Sequence, residues 1–344
     1  MTRTRGRRLP AARAYGVAAA FLVAATLISA LVGAADLNPL DTITALLDKI
    51  PLVHLPSGLD AVDRAVLFQI RLPRIVLAAL VGGLLSVAGA GYQGVFRNPL
   101  VDSGMLGASA GAGLGATLAI VYFGGAGPAA VPVAAFAGSL AGVAIAYASG
   151  AIGGSGTATL LLAGVAVGLF LTAVQTYVLQ RSAQDLQQVY SWLLGSLSGA
   201  TWQQAGEILP YAAVSVAIVL VHGRHLDVLS VGDEEARALG LHPGRTRLLV
   251  VAACALAAAS AVAVSGLIGF VGIVVPHVVR RLAGPSYRLV LPLSLLTGAG
   301  FLVLADTLAR TVVSPAELPI GVVTALVGSP VFIWILRSTP AVRT

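Results

Sequence analysis

The chain has 344 residues, 57% hydrophobic and only 10% charged, with a formal net charge of +7, and its mean hydropathy is +0.92. Soluble domains carry about 25% charged residues, so a water-soluble enzyme is excluded, and the basic balance follows membrane topology rather than a nucleic-acid partner. A bilayer crossing takes about 20 apolar residues. Ten runs approach that length: 15–35, 75–96, 104–123, 129–149, 158–179, 205–222, 248–264, 266–280, 289–309 and 319–336. The expectation is an all-α membrane protein of about ten transmembrane helices, with residues 1–344 forming a single domain behind a basic N-terminus, 1–14.

The first run follows RTRGRR and ends in GAA before Asp36, the layout of a signal peptide. Its apolar stretch exceeds the usual length of such a peptide, so an uncleaved first span is expected. Residues 36–70 form the longest connection outside the membrane. Asp41 is placed to cap a short helix over 42–50 that Pro51 ends, and Ser57 to cap a second over 58–70. Both read as amphipathic covers, too short to span.

The second run, Ile75 to Phe96, carries no charge, and a polar turn, Arg97 to Ser103, leads into the third. Pro99 forbids helix continuation and holds Asn98 extended. The third run carries Gly104, Gly107, Gly111, Gly113 and Gly115. In lipid such a density of glycine lets helix backbones approach closely, because packing drives association there. The pattern predicts a tightly packed pair of helices beside Asn98.

Further on, Tyr190, Trp192 and Trp202 suit the interface belt, with an apolar ring and a polar tip. Residues 223–247 form the largest cytoplasmic loop. Within it, Asp233, Glu234 and Glu235 load the start of a short helix and Arg237 lies towards its end, complementing the helix dipole. Gly240 stands where a left-handed C-cap belongs, with His242 and Pro243 beyond. A helix of about two turns is predicted between Gly232 and Gly240. Cys254 is the only cysteine and reads as a small packing residue. The seventh and eighth runs are barely separated, and the eighth is short. Asp306 and Arg310 are four apart and can pair on one helix face.

With the N-terminus in the cytoplasm, alternation puts fifteen of the 21 basic residues inside and six outside, namely Lys49, Arg64, Arg71, Arg74, Arg181 and Arg310. That asymmetry fixes both termini as cytoplasmic. The one lysine, Lys49, follows Leu-Asp, so there is no Gly-Lys-Ser/Thr phosphate loop. The five histidines are scattered. No catalytic or metal site is expected. The central parts of the ten runs lack Asp, Glu, Lys, Arg and His, which argues against a proton or ion relay. Energy for transport is expected from a separate ATPase, with a secondary transporter or channel as the competing class.

RLPR (71–74), RNPLVDSGMLGASAGAG (97–113), LLLAGVAVG (160–168), YSWLLGSLSGATW (190–202), SGLIGFVGIVVPHVVRRLAG (265–284) and LADTLARTVVSPAELPIGVVTALVGSPVFIWIL (304–336) together resemble the FecCD-type permeases. These are membrane subunits of ABC importers for ferric siderophores, haem and cobalamin. The resemblance implies a bacterial cytoplasmic-membrane protein working with a second copy of itself or a close paralogue. It also implies two ATP-binding subunits inside, which hold the ATP and magnesium, and a substrate-binding protein outside; this chain itself needs no cofactor. A ferric siderophore is the first substrate expected, with haem and cobalamin as alternatives. By the same resemblance Arg71, Arg74 and Arg310 meet the binding protein on the outer surface. Asn98, Leu100 and Thr157 form the cytoplasmic gate. EEARALG resembles the ATPase-docking signature of importer permeases, which assigns coupling to Asp233, Glu234, Glu235, Arg237, Gly240 and His242.

Overall fold

The structure, a computed structural model, describes residues 9–33, 35–49, 56–124, 126–152 and 156–338, and among these there is no strand. The helices in chain order are α1 Ala11–Leu31, α2 Pro39–Leu47, α3 Ala61–Ala65, α4 Leu72–Phe96, α5 Ala108–Phe123, α6 Ala130–Ile152, α7 Thr157–Arg181, α8 Leu186–Leu193, α9 Trp202–Val221, α10 Gly223–Leu229, α11 Asp233–Ala238, α12 Pro243–Ser265, α13 Val271–Ala283, α14 Tyr287–Thr311 and α15 Ile320–Ser338. Among the described residues, seven helical stretches are long and apolar enough to cross a bilayer: α1, Ala61–Phe96, α6, α7, α9, α12 and α14. α5 and the Ile320–Ile333 part of α15 are apolar but shorter, and α13 has 13 residues.

The chain is organised around α4, which packs against α14, α12, α13 and α9. Leu77, Ala78, Ser86, Val87 and Ala90, which together face all sides of it, are buried. Two glycines permit the closest approaches. A Cβ on Gly82 would fall on the Gly298 carbonyl of α14, and one on Gly89 on the backbone of Gly272 in α13. Since lipid is as apolar as leucine, close backbone packing is what draws such helices together.

The glycines of α5 do the same for a different neighbour. Gly107, Gly111 and Gly115, spaced by four and therefore on one face, abut Gly142, Gly138 and Ala134 of α6. The tight pair is thus α5 with α6, not α5 with the helix before Asn98. The start of α5 also moves, from the expected Gly104 to Ala108. Leu106 and Gly107 both take left-handed backbone conformations, φ 62° and 79°, which no helix can include.

The connection between α1 and α4 differs from expectation in its caps. Asn38, not Asp41, caps α2, accepting from the Leu40 amide; Asp41 sits in the first turn and accepts from Gly58 N at 3.0 Å. The expected end of that helix at Pro51 lies outside the described residues. Asp60, not Ser57, caps α3. Far from ending at residue 70, α3 runs through a wider π-turn, Val66–Arg71, directly into α4. The π-turn pairs Leu72 N with Leu67 O. The next carbonyl, Phe68 O, would fall to Pro73, which has no N–H. The Trp202 indole donates to it instead, at 2.9 Å, so Trp202 has an internal partner besides any place in the interface belt.

The seventh and eighth runs are separate helices, α12 and α13. They part at Gly266 and Phe270, both with positive φ. The irregular stretch between them meets two others, and their backbones serve one another. Ser196 N donates to Ser265 O at 2.9 Å, Ile320 N to Gly195 O at 3.1 Å and Gly321 N to Leu194 O at 3.0 Å. Non-helical backbone in a membrane protein is tolerated where protein satisfies it. α7, by contrast, leaves Leu162, Val165, Leu169 and Phe170 exposed.

Candidate functional site

Three groups of sequence-predicted residues lie at distinct places, and α4 connects two of them. At its C-terminus Arg97 takes a left-handed conformation, φ 51°, which turns the chain sharply into Asn98. The Asn98 carboxamide oxygen accepts from Leu100 N at 2.9 Å, an Asx-turn that fixes the N-P-L bend. Behind the bend, Gln93 is buried to 1% exposure. Its amide donates to Val101 O at 3.1 Å and Gly272 O at 2.9 Å, and its oxygen accepts from Arg280 Nη1 at 2.6 Å. Arg280 also lies over the Tyr287 ring, 5.4 Å from its centroid. Gln93 ties the turn to α13, and its mark in the sequence is the single amide in the uncharged run 75–96. Buried polar groups of this kind fix one arrangement when satisfied.

Asn98 and Leu100 border a cavity of about 590 Å³ between the 97–107 turn, α5 and α7. Its wall is apolar, with Met105, Leu161, Val165 and Leu169, and its polar groups are neutral: Asn98, Ser109, Thr172 and Gln175. Gln175 is held by a hydrogen bond to Thr117 Oγ1 at 3.1 Å. Thr157, the third expected gate residue, opens α7 and is not part of this wall. The glycine-rich segment just before it, at 153–155, lies outside the described residues.

In the loop expected to be cytoplasmic, α11 runs Asp233–Ala238, close to the expected span. Its C-terminus is a Schellman motif: Gly240 N donates to Arg237 O and Leu241 N to Ala236 O, each at 2.9 Å. Gly240 has φ 81°, the left-handed conformation foreseen for it. Glu234, Glu235, Arg237, Gly240 and His242 are exposed, and Val231 and Leu239 flank them as exposed apolar residues. Arg237, Gly240, His242 and Arg245 line an open groove of about 460 Å³. α10, which precedes α11, was not among the expected elements. Asp227 in α10 accepts from Ser286 Oγ at 2.7 Å and Tyr287 N at 2.6 Å, fastening the loop to the start of α14.

Asp233 behaves differently from its neighbours. Its Oδ1 accepts from Arg97 Nη2 and, at 2.5 Å, from Arg247 Nη2. Desolvation acts to raise its pKa, but the hydrogen bond and charge of Arg247 and the charges of Arg97 and Arg237 outweigh it and hold the carboxyl below the usual range.

The third group is buried. Arg71, Arg74 and Arg310 lie together at the N-terminal end of α4 but are not free surface charges; they are 3%, 8% and 7% exposed. A buried guanidinium requires partners, and each has them within the chain. Arg74 donates three hydrogen bonds to Asp306 at 2.8–3.0 Å and two to Glu317 at 2.8 and 2.9 Å. Arg71 donates to Ala30 O and Ala35 O, both at 2.7 Å. Arg310 donates to Ser29 O at 2.5 Å and Ser29 Oγ at 2.8 Å. Two arginines thus serve the last carbonyls of α1, where the helix dipole favours a cation. The expected Asp306–Arg310 pair is present but long, at 3.8 Å.

A model of the FecCD transport family matches residues 21–338. A cobalamin import system permease of Halobacterium salinarum is 42% identical over 82% of this chain and 76% of its own length. A hemin transport system permease of Yersinia pestis is 41% identical over 78% and 82%. An Fe(3+)-citrate import system permease of Bacillus subtilis is 37% identical over 89% of each. A solved structure described as a metal-chelate type ABC transporter in an inward-facing conformation superimposes with a TM-score of 0.82, at 29% identity, over 95% of this chain and 99% of that one.

Proposed function

The chain belongs to the FecCD transport family, and on that premise we propose how it carries its substrate. It is the membrane-spanning permease subunit of an ABC importer. Ten helices cross the membrane, the seven long ones together with α5, α13 and α15, and both termini are cytoplasmic in a bacterial inner membrane. Residues 1–344 act as one permease domain. Two copies, or this chain and a close paralogue, enclose the path, with the exposed face of α7 turned towards it. Two ATP-binding subunits, which hold the ATP and magnesium, dock on α11 and the groove beside it. A substrate-binding protein delivers from outside.

The observation that supports this reading most is the neutral cavity of about 590 Å³ bordered by Asn98 and Leu100. A bulky chelate has little charge to neutralise there, and an apolar wall with a few amide and hydroxyl groups suits it. Asn98 and Leu100 close its cytoplasmic end, with Thr157 nearby in the assembled dimer. The substrate is a ferric siderophore or a similar metal chelate. Cobalamin is the second reading, favoured by the 42% identical Halobacterium relative. The outer arginines act in binding-protein docking by holding α1, α4 and α14 in one frame and presenting Glu317, not as free charges.

The test is uptake into liposomes holding the permease with its ATPase, fed by the binding protein loaded with either ligand. Uptake that requires ATP, the ATPase and the binding protein is expected. Uptake driven by a proton or ion gradient without the ATPase would identify a secondary transporter instead.

A further inference from the structure

We propose that the Arg97–Asp233 ion pair is the link through which α11 moves the gate turn. This rests on the reading of α11 as the ATPase-docking element and of Asn98 and Leu100 as the gate.

Geometry carries it. Asp233 is the first residue of α11, and Arg97 is the last residue before the N-P-L bend. One carboxylate oxygen joins them across 136 positions of sequence. The same oxygen also holds Arg247, on the first turns of α12. The two arginines are not equivalent. The side chain of Arg247 is 6% exposed and that of Arg97 34%, with Asp233 at 27%. Arg247 is the anchored partner and Arg97 the exchangeable one. A displaced α11 keeps its anchor on α12 while it pulls on or lets go of Arg97.

The receiving end is suited to respond. Arg97 is a single left-handed residue between a rigid helix and an Asx-turn, and Leu100 on the cavity wall lies three residues on. Gln93 fixes Val101 and so bounds how far the movement spreads. A pull on the Arg97 side chain therefore acts on the short segment that carries Asn98 and Leu100. Residues in one such network couple non-additively.

The experiment uses the full importer in liposomes and reads two quantities: binding-protein-stimulated ATP hydrolysis, and substrate moved per ATP. Arg97→Gln, Asp233→Asn and the double variant are compared with wild type. The link predicts that stimulated hydrolysis persists in Arg97→Gln while substrate per ATP falls about fivefold or more. It also predicts that the double variant is no worse than the poorer single one. Should Asp233→Asn fail to assemble, Arg97→Gln decides alone, since its partly exposed side chain can go while Asp233 keeps Arg247. A wild-type ratio in Arg97→Gln overturns the proposal, as do losses that simply add. Failure of the docking reading itself looks different: stimulation would then be unaltered by Gly240→Val.

Discussion

The two ends of α4 carry the same chemistry in opposite settings. At its N-terminal end Arg74 is saturated by Asp306, buried with it, and by Glu317 at the surface. At its C-terminal end Arg97 shares one oxygen of Asp233 with Arg247, and the Arg97–Asp233 pair is partly open to solvent. Burial makes the difference. A desolvated guanidinium cannot part from its carboxylate without a large loss, whereas an exposed one exchanges its partner for water at little cost. The cluster at Arg74 acts as a fixed clamp on three helices, and the one at Arg97 as a joint. About 35 Å of rigid helix separates them, at 1.5 Å per residue, so one end can yield while the other holds.

The strongest way to break this comparison is at the clamp. Asp306→Asn leaves Arg74 with Glu317 alone and should cost about 3–5 kcal/mol. A large fall in the melting temperature of the detergent-solubilised protein is expected, and an unchanged one would show that water already reaches Arg74. Charge reversal at Arg71 and Arg310 together sets carboxylates against the last carbonyls of α1. It should destabilise the fold before it touches binding-protein docking, which a pull-down at matched folded fraction separates.

A smaller effect is expected at the coupling loop. Gly240→Val forces a β-branched residue into a left-handed backbone at a local cost of about 1–2 kcal/mol. The melting temperature should scarcely move, while binding-protein-stimulated ATPase activity drops. Stability loss without loss of stimulation would make α11 a structural loop.

Salt sharpens the contrast further. Raising ionic strength from about 0.1 to 1 M shortens the screening length from about 10 to 3 Å. Substrate moved per ATP should fall modestly through the joint at Arg97, with no change in melting temperature from the clamp. The smallest effect is that of pH. The carboxyl of Asp233 is held below its ordinary range in the folded chain. Its contribution is therefore complete above the unfolded value of about 3.9 and is lost only as pH falls through the lower folded one. The coupling ratio should be flat between pH 6 and 8, and a marked slope there would place the joint on another group.

What the sequence revealed was local. The start and stop of α11, the left-handed Gly240 and the small-residue face of α5 each depend on residues within a few positions. What it hid joins distant positions. Arg74 and Asp306 are 232 residues apart, Gln93 and Arg280 187, Arg97 and Asp233 136. Outer arginines read as free because nothing nearby in the chain announces their partners. The late start of α5 was hidden for another reason: Leu106 carries a positive φ that its side chain does not advertise. The partner of α5 was misjudged because a glycine face says only that some backbone comes close, not which one.

Two glycines show what kind of drift the fold permits. At position 240 an added Cβ would meet nothing within 4 Å, so the residue is kept by handedness alone. A mirror-image amino acid would be at ease there, and asparagine, which tolerates the left-handed region, is the encoded residue that comes closest. At Gly111 the backbone is ordinary helix and the Gly138 carbonyl fills the space, so the residue is kept by volume. Natural variation should accordingly admit asparagine at 240 and nothing larger than glycine at 111, unless α6 retreats with it.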